Sequence, residues 1–319
     1  MPAAHLIPPT ARTAEAVRAA IAGADLATAA ARASLTADNL ADAIDAYHVA
    51  GTIALEQRDA SRWHEVRVRL VDQHAAERTL AMVIGPRFDS FIDDGGASGW
   101  WFMRKEPGLR IRLLDADTDA AAHLFCELVA DETIAEWTPG IYEPETTAFG
   151  GDDGIEVVHA LFQADTSGIL SYLRHEHPPL GRREMSLLLI SAMLAGAGLD
   201  WFERGDVFLR TAAMRPPQVD AVKLAKLTEQ LTSILRVPAG SGSPLFADGG
   251  PAAFAVDWRE AFEEAGRRFA AAAASGTLTR GLRAVLAHVL IFHWNRLGLS
   301  ASTQAILTTA AARTCIPTD

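Results

Sequence analysis

Cysteine is nearly missing from this 319-residue chain, which contains only Cys126 and Cys315. Two cysteines are too few for a disulfide framework or a structural zinc site, and such low usage is typical of a reducing compartment. The N-terminal segment also lacks the charged-then-apolar layout of a secretion signal. Together these features predict a cytoplasmic protein.

Long apolar runs are missing as well, since no stretch reaches the roughly 18 residues that a membrane span needs. Positive charge is scarce: 29 Lys and Arg residues stand against 40 Asp and Glu residues, for a net charge of −11. Such an acidic chain is a poor nucleic-acid binder, although a local basic groove is compatible with it. The sequence therefore predicts neither a membrane protein nor an enzyme with a nucleic-acid substrate.

Generic catalytic and cofactor motifs are missing too. The chain has no dinucleotide fingerprint, no Walker A loop, no HExxH zinc helix and no GxSxG nucleophile elbow. His175 and His177 have the wrong spacing for a helical zinc pair, so we interpret this stretch as a polar loop. The sequence predicts no metal and no organic cofactor.

Apolar residues are abundant: 49% of the chain is hydrophobic and 22% is charged, as in globular proteins. Residues 1–60 have helical patterns with a break near Ser34, which predicts a helical N-terminal appendage. Residues 61–319 predict one catalytic domain, with strands in its first part and a helix-rich C-terminal half. We predict an α+β fold with a mostly antiparallel sheet flanked by helices.

The most distinctive stretch is a predicted β-hairpin at residues 100–114. In its second strand apolar residues alternate with Arg110 and Arg112, so one face is apolar and the other carries two guanidinium groups about 7 Å apart. Arg104, on the first strand, is expected to add a third. Clustered guanidinium groups bind carboxylates and carbonyls well, although solvated strand arginines are an equally simple interpretation.

Local signals also place turns, linkers and caps. Pro107 and Gly108 suit the two central positions of the hairpin turn, with Gly108 supplying a positive φ. The Gly/Ser/Pro-rich stretch 237–250 is the best linker candidate. Ser302 can cap the last predicted helix.

Two further segments contain groups that can move protons. An irregular loop contains Tyr142 and Glu145, which are either surface residues or a phenol–carboxylate pair for acid–base chemistry. Near the C-terminus, His293 is either a satisfied core histidine or an acid–base group.

Three motifs, in this order along the chain, resemble one family. They are the W-W-F-x-R-x-x-P-x-x-R-x-R-L hairpin, the Y-E-P-E-x-x-x-x-G-G loop from Tyr142, and the H-x-N-R-L-G segment from His293. The sequence resembles the thiopeptide-type bacteriocin biosynthesis domain, which is similar to the elimination domain of class I lanthipeptide dehydratases. The resemblance covers residues 63–313, most of the chain, and implies the fold of that elimination domain.

In the eliminating branch of the family, the domain removes glutamate from glutamylated Ser or Thr of a precursor peptide and leaves a dehydroamino acid. That branch carries a histidine where this sequence has Gly108, and a loop arginine where it has Ala148. Elimination expels a carboxylate that a cation should stabilise. Both differences disfavour glutamate elimination.

A second branch consists of stand-alone proteins that resemble thiopeptide pyridine synthases. The resemblance to this branch implies a formal [4+2] aza-cycloaddition between two dehydroalanines, with loss of water and leader peptide to give a macrocycle. Tyr142, Glu145 and His293 would then handle protons, and the three arginines would bind the peptide. The weaker candidates for the same pocket are Ser167, Ser186, Asn295 and Gln304, although Gln304 could simply face solvent.

Two alternatives stay open. The chain could be a split glutamate-elimination lyase that acts after a separate glutamylating protein. It could instead be a non-catalytic subunit that binds the leader peptide and presents the precursor to other enzymes of the pathway. Leader binding would use the N-terminal helices or an exposed sheet edge, where a peptide strand can add through main-chain hydrogen bonds.

Overall fold

The structure, a computed structural model, describes residues 9–215 and 221–316. The chain divides into two compact units at the boundary between Arg62 and Trp63. Among the helices of the described ranges, none is long and apolar enough to span a bilayer.

The described part of the first unit consists of three helices: α1 (Pro9–Ile21), α2 (Leu26–Arg32) and α3 (Ala37–Ser61). Alanines, Val17 and the fully buried Leu40 form its small core. The predicted break near Ser34 is confirmed, because α2 ends before it and α3 begins after it. There the Thr36 hydroxyl accepts a hydrogen bond from the Asn39 backbone N–H at 3.1 Å, which satisfies a free donor in the first turn of α3.

The second unit begins with a four-stranded sheet in which every pair of neighbouring strands is antiparallel. The strand order is β2-β3-β1-β4, so the hairpin β2–β3 packs against β1 and leaves β2 and β4 at the edges. This arrangement confirms the predicted α+β class. The strands are β1 (Trp63–Leu70), β2 (Gly99–Lys105), β3 (Gly108–Leu114) and β4 (Ile134–Gly140).

The hairpin turn differs by one residue from the prediction. Lys105 pairs with Gly108, so Glu106 and Pro107 occupy the two central positions, and the bond between them is cis. Gly108 is the first residue of β3 and does not have a positive φ. It is needed for a different reason: a Cβ at this position would overlap the carbonyl oxygen of Val68 on β1.

The two faces of the sheet have opposite character, because directly paired residues place their side chains on the same face. The apolar face, which includes the fully buried Ile111, packs into the core. Arg104 pairs with Leu109 and therefore shares this apolar face. The expectation that Arg104 joins the arginine row is wrong, because the two-residue turn sets this register. Arg110 and Arg112 lie on the opposite, polar face, as predicted.

Helices make up the rest of the second unit and pack mainly against one another and beside the edge strand β2. The helix at Asp152–Arg174 crosses next to β2 and continues into the helical half of the domain. A π-helical segment (Leu80–Ile84) joins the first two helices of the second unit. A short 3₁₀ segment (Ala253–Ala255) precedes the helix that begins at Val256. The helices are α4 (Ala76–Thr79), α5 (Gly85–Asp93), α6 (Thr118–Ala130), α7 (Thr146–Phe149), α8 (Asp152–Arg174), α9 (Arg182–Gly196), α10 (Trp201–Met214), α11 (Ala221–Leu235), α12 (Val256–Ser275), α13 (Leu282–Leu297) and α14 (Ala301–Cys315).

Two local predictions in this half need correction. The stretch 237–250 is a loop, but it is not a linker: it lies within the second unit, and Ala239 and Phe246 are buried there. Helix α14 is capped by Ser300 rather than Ser302, because the helix begins one residue after Ser300, whose hydroxyl accepts from the Thr303 N–H.

Candidate functional site

A buried ion pair lies on the polar face of the sheet. Glu65 and Arg112 are cross-strand partners on β1 and β3, and the Glu65 carboxylate lies 2.9–3.0 Å from two nitrogens of the Arg112 guanidinium. The guanidinium also stacks on two rings, at 4.2 Å from the Trp101 centroid and 4.5 Å from that of Tyr142. Burial lowers the pKa of Arg112, while the negative charge of Glu65 opposes that effect. The aromatic contacts hold the guanidinium plane under Tyr142.

Tyr142 forms a hydrogen bond with a residue that sequence analysis did not identify. Its hydroxyl oxygen lies 2.8 Å from Nε2 of His159, which α8 places beside the sheet. Burial raises the pKa of Tyr142, although Arg112 acts in the opposite direction. Burial, followed by the positive charge of Arg112, lowers the pKa of His159 to about 4. Both side chains are therefore neutral at pH 7, and the direction of the hydrogen bond depends on the histidine tautomer.

Two tryptophans enclose this pair. The Trp63 ring centroid lies 4.7 Å from that of His159, and Trp101 lies 5.8 Å from Tyr142 in an edge-on arrangement. Such rings exclude water and so strengthen the electrostatic interactions between the enclosed groups. We call Glu65, Trp101, Arg112, Tyr142 and His159 the sheet-face cluster.

Glu145 lies beside this cluster, at the N-terminal cap of the short helix α7. Its side chain is exposed, and among the described residues it has no hydrogen-bond or ion-pair partner. Its negative charge nevertheless raises the pKa values of Tyr142 and Arg112. The structure therefore brings together three residues that the sequence analysis selected from two separate motifs.

Glu65 and His159 were missed by sequence analysis. The sequence signal that could have identified Glu65 is its place in the alternating pattern of β1, where it shares a face with Arg67. His159 offered a weaker one, a polar residue among the apolar positions of a helix. Only the packing of α8 against the sheet brings it to Tyr142.

His293 belongs to a different group of residues. It is 1% exposed, and its Nδ1 lies 3.0 Å from Oδ1 of Asp165 on α8. Asp165 also accepts from the Trp258 indole at 2.8 Å and lies 3.1 Å from Nε of Arg296. We call Asp165, His293 and Arg296 the buried cluster. A proton-handling role for His293 stays a prediction, but any such role in this arrangement acts through neighbouring side chains.

The buried cluster keeps its carboxylate ionised. Burial alone raises the pKa of Asp165, but His293 and Arg296 outweigh it and leave the pKa below its ordinary value. Burial lowers the pKa of Arg296 to about 10, and the positive charge of Arg112 contributes in the same direction. Trp101 contacts both guanidinium groups, since Arg296 Cζ lies 5.6 Å from its ring. The two clusters are therefore neighbours across one indole.

The remaining predicted peptide-binding residues lie elsewhere. Arg104 donates to the Arg296 carbonyl at 2.8 Å and ties β2 to the end of α13. Ser186 accepts a hydrogen bond from the Trp294 indole at 3.1 Å. The Gln304 amide is buried rather than solvent-facing, and donates to the Asn295 side-chain oxygen at 2.9 Å. These hydrogen bonds tie the four residues to neighbouring segments of the fold, and a peptide-binding role for them stays a prediction.

Ser167 faces outward from the unbroken helix α8. Arg110 is half-buried and lines an open groove of about 270 Å³ on the polar face. Within residues 9–215 and 221–316, no group of three or more His, Cys, Asp or Glu side chains is arranged to hold a metal ion.

Ala148, in the loop that follows Tyr142, contacts an arginine from another segment of the chain. The Ala148 carbonyl accepts a hydrogen bond at 2.8 Å from Arg280, which precedes α13. Gly150 and Gly151 follow with positive φ values of 88° and 102°, a conformation that favours glycine. The loop thus has no arginine of its own at position 148, but a guanidinium from another segment contacts its backbone.

The sequence model of one family matches this chain over residues 63–315, and the family is described as lantibiotic biosynthesis dehydratase C-term. Comparison with curated protein sequences gives no significant match.

Two solved structures are similar in fold. One is the tRNA-dependent lantibiotic dehydratase MibB from Microbispora sp. 107891, with 21% identity, 79% of this chain covered and a TM-score of 0.59. The match spans only 28% of MibB. The other is the protein TsrL, with 17% identity, coverage of 79% of this chain and 93% of TsrL, and a TM-score of 0.53.

Proposed function

The chain belongs to the lantibiotic biosynthesis dehydratase C-terminal family, and from this premise we propose that it is a thiopeptide pyridine synthase. Its substrate would be a modified, azole-containing precursor peptide with two dehydroalanines and a leader peptide. The reaction would be a formal [4+2] aza-cycloaddition, followed by loss of water and of the leader, and it needs no redox partner. Its place of action would be the cytoplasm.

The observation that carries this proposal is the hydrogen bond between Tyr142 and His159. The amide whose nitrogen and carbon enter the ring must first reach its iminol form, in which a proton has moved from nitrogen to oxygen. A neutral phenol and a neutral imidazole can each give or accept that proton, and their mutual hydrogen bond can reverse. Loss of water after ring formation needs a proton donor of the same kind.

Other residues would hold the peptide and the pair in place. Arg110, which lines the groove, would donate to peptide carbonyls. Arg112 would hold Tyr142 in place through its contact with the ring, and Glu145 would supply a carboxylate next to the phenol. The two alkenes are far apart in the peptide, so holding them together would contribute much of the rate enhancement. His293 would be a positioning residue, since it holds Asp165 and thereby Arg296 against Trp101.

Glutamate elimination fits the sheet-face cluster less well. The backbone of Val68 leaves no room for a side chain at Gly108. Glu65 already neutralises Arg112, and Glu145 adds a second negative charge close by. A departing glutamate would therefore meet two carboxylates and one compensated arginine.

One observation favours elimination as the second candidate. Arg280 contacts the backbone at Ala148, the position at which the eliminating branch carries its loop arginine. A guanidinium from a different segment could therefore serve a leaving carboxylate at the same place.

Mass spectrometry of the protein with two peptides would separate the candidates. With a leader-bearing, thiazole-containing peptide that has two dehydroalanines, we expect loss of water together with the leader. With a peptide glutamylated on serine, we expect no release of glutamate. Rapid glutamate release without ring formation would instead identify an eliminating lyase. Binding of both peptides without turnover would identify a leader-binding subunit.

A further inference from the structure

Two arginines face each other on the open, polar face of the sheet. Arg67 on β1 and Arg110 on β3 are direct cross-strand partners, so their side chains leave the sheet side by side. Like charges at directly opposite positions destabilise a sheet. We call these residues the arginine pair.

The surrounding side chains do not neutralise the arginine pair. Among the described residues the Arg110 side chain has no hydrogen-bond or ion-pair partner. Arg67 is 58% exposed, and within the described part of the chain the one carboxylate at ion-pair distance is that of Glu65 at 3.6 Å, which Arg112 already engages. The next row of the sheet pairs Arg69 with Glu136 at 2.8 Å and so contributes no free negative charge.

The arginine pair lines the groove of about 270 Å³, which reaches from the hairpin turn to Thr138 on β4. At the turn end of the groove the charges of Lys105 and Glu106 offset each other, so the excess positive charge comes from the arginine pair. The chain as a whole has a net charge of −11, so this groove is a local positive patch on an acidic protein. Such a surface attracts an acidic ligand, and guanidinium groups match the geometry of a carboxylate.

The position of the groove relates it to the sheet-face cluster. Arg110 and Arg112 are two residues apart on one face of β3, which is about 7 Å along the strand. A carboxylate held by the arginine pair would therefore bind next to Arg112, on which Tyr142 packs, at a spacing of about two residues in an extended peptide. From this juxtaposition we propose that the arginine pair binds an acidic side chain of the precursor peptide, near the residues that react. Only the identity of the peptide rests on the proposed function.

Fluorescence anisotropy of the full chain tests this with a labelled peptide that carries two glutamates among glycines and serines. Its twin has glutamines in their place. We expect the acidic peptide to bind at least tenfold more tightly than the twin, and the preference to weaken with salt. The double variant Arg67→Gln/Arg110→Gln should lose that preference.

The matched control is Arg210→Gln/Arg267→Gln, which removes the same charge from exposed positions on α10 and α12. It should keep the preference. Equal binding of the two peptides, or an equal loss in the control, would overturn the proposal. Competition by free glutamate at concentrations comparable to the acidic peptide would also overturn it, because the site would then hold a free carboxylate rather than a peptide side chain.

The outcome is separable from that of the proposed function, because binding is measured without turnover. If the chain forms the ring and the double variant keeps its KM and its peptide affinity, only this inference fails. If the acidic preference depends on the arginine pair but no ring forms, only the proposed reaction fails.

Discussion

The sheet-face cluster and the buried cluster contain the same three kinds of group: a carboxylate, an arginine and a histidine. Helix α8 contributes to both, with His159 in the first and Asp165 in the second. In the sheet-face cluster the arginine and carboxylate neutralise each other, and the histidine bonds to a phenol. In the buried cluster one carboxylate serves both the arginine and the histidine.

The difference indicates that the buried cluster stabilises the fold, whereas the sheet-face cluster is suited to proton transfer. The Asp165 carboxylate pairs with the Arg296 guanidinium and hydrogen-bonds His293 in the core, so its removal would leave a buried arginine unpaired; it therefore stabilises one arrangement of helices. A histidine bonded to a phenol remains free to exchange a proton. The same residue types thus have different uses because of their partners and their exposure.

The strongest test of the contrast is Asp165→Ala. It leaves the buried Arg296 without a counter-charge and His293 without its hydrogen-bond partner, and we expect the free energy of unfolding to fall by about 3–5 kcal/mol. Urea denaturation followed by circular dichroism measures it. The control is Asp206→Ala, whose carboxylate forms partly exposed ion pairs with Arg210 and Arg283 and should contribute about 0–1 kcal/mol. Similar losses in the two variants would contradict a structural role for the buried cluster.

Tyr142→Phe removes the hydroxyl that carries a proton in the proposed mechanism, and little else. We expect turnover of the bis-dehydroalanine peptide to fall by about 100-fold, with a loss of unfolding free energy near 1 kcal/mol. Tyr172→Phe is the matched control, because the Tyr172 hydroxyl donates to the Leu180 carbonyl at 3.0 Å, away from both clusters. Single-turnover mass spectrometry of both variants decides the matter. Unchanged turnover in Tyr142→Phe would remove the phenol from the mechanism.

The depressed pKa of His159 makes stability depend on pH. Its pKa is about 4 in the folded chain against an ordinary value of 6.5, so its contribution is complete above pH 6.5 and declines as the pH falls toward 4. Between pH 7 and pH 5 the loss should be about 2 kcal/mol. Urea unfolding at both pH values measures it, and the loss should be smaller by that amount in His159→Gln. An identical pH dependence in the variant would show that His159 is not held neutral.

The smallest expected effects concern the arginines next to each cluster. Arg104→Ala breaks the hydrogen bond to the Arg296 carbonyl and should lower the free energy of unfolding by about 1–2 kcal/mol. Arg110→Ala should change it by less than about 0.5 kcal/mol, because it also removes a like-charge neighbour of Arg67. Thermal unfolding of the two variants, measured side by side, compares the two losses of stability. A larger loss for Arg110→Ala would mean that its charge is compensated in the fold.

Much of the fold follows from local patterns. Alternation in β1 and β3 identified both strands and the polar face, because a period of two requires no knowledge of the rest of the chain. The face of Arg104 could not be read in this way. It depends on the number of residues in the turn, since a three-residue turn would have placed Arg104 opposite Arg110 rather than Leu109.

The candidate site was predictable to a smaller extent. Tyr142, Glu145 and Arg112 lie in motifs that are unusual in themselves. His159 and Glu65 look ordinary in sequence, and only long-range packing gives them partners. His293 stood out equally in its motif, but its neighbours come from α8 and α12, so its burial could not be inferred from the residues around it.

The contact between Gly108 and the Val68 carbonyl has a consequence for how such chains can change over time. A single replacement of Gly108 by histidine would have to separate β1 from β3 before it could offer any catalytic benefit. The order of substitutions therefore matters: the strands must first shift apart, and only then can position 108 accept a side chain. A lineage with Gly108 in close contact with Val68 is thus held away from the histidine-bearing form by its backbone, whatever selection favours at the site.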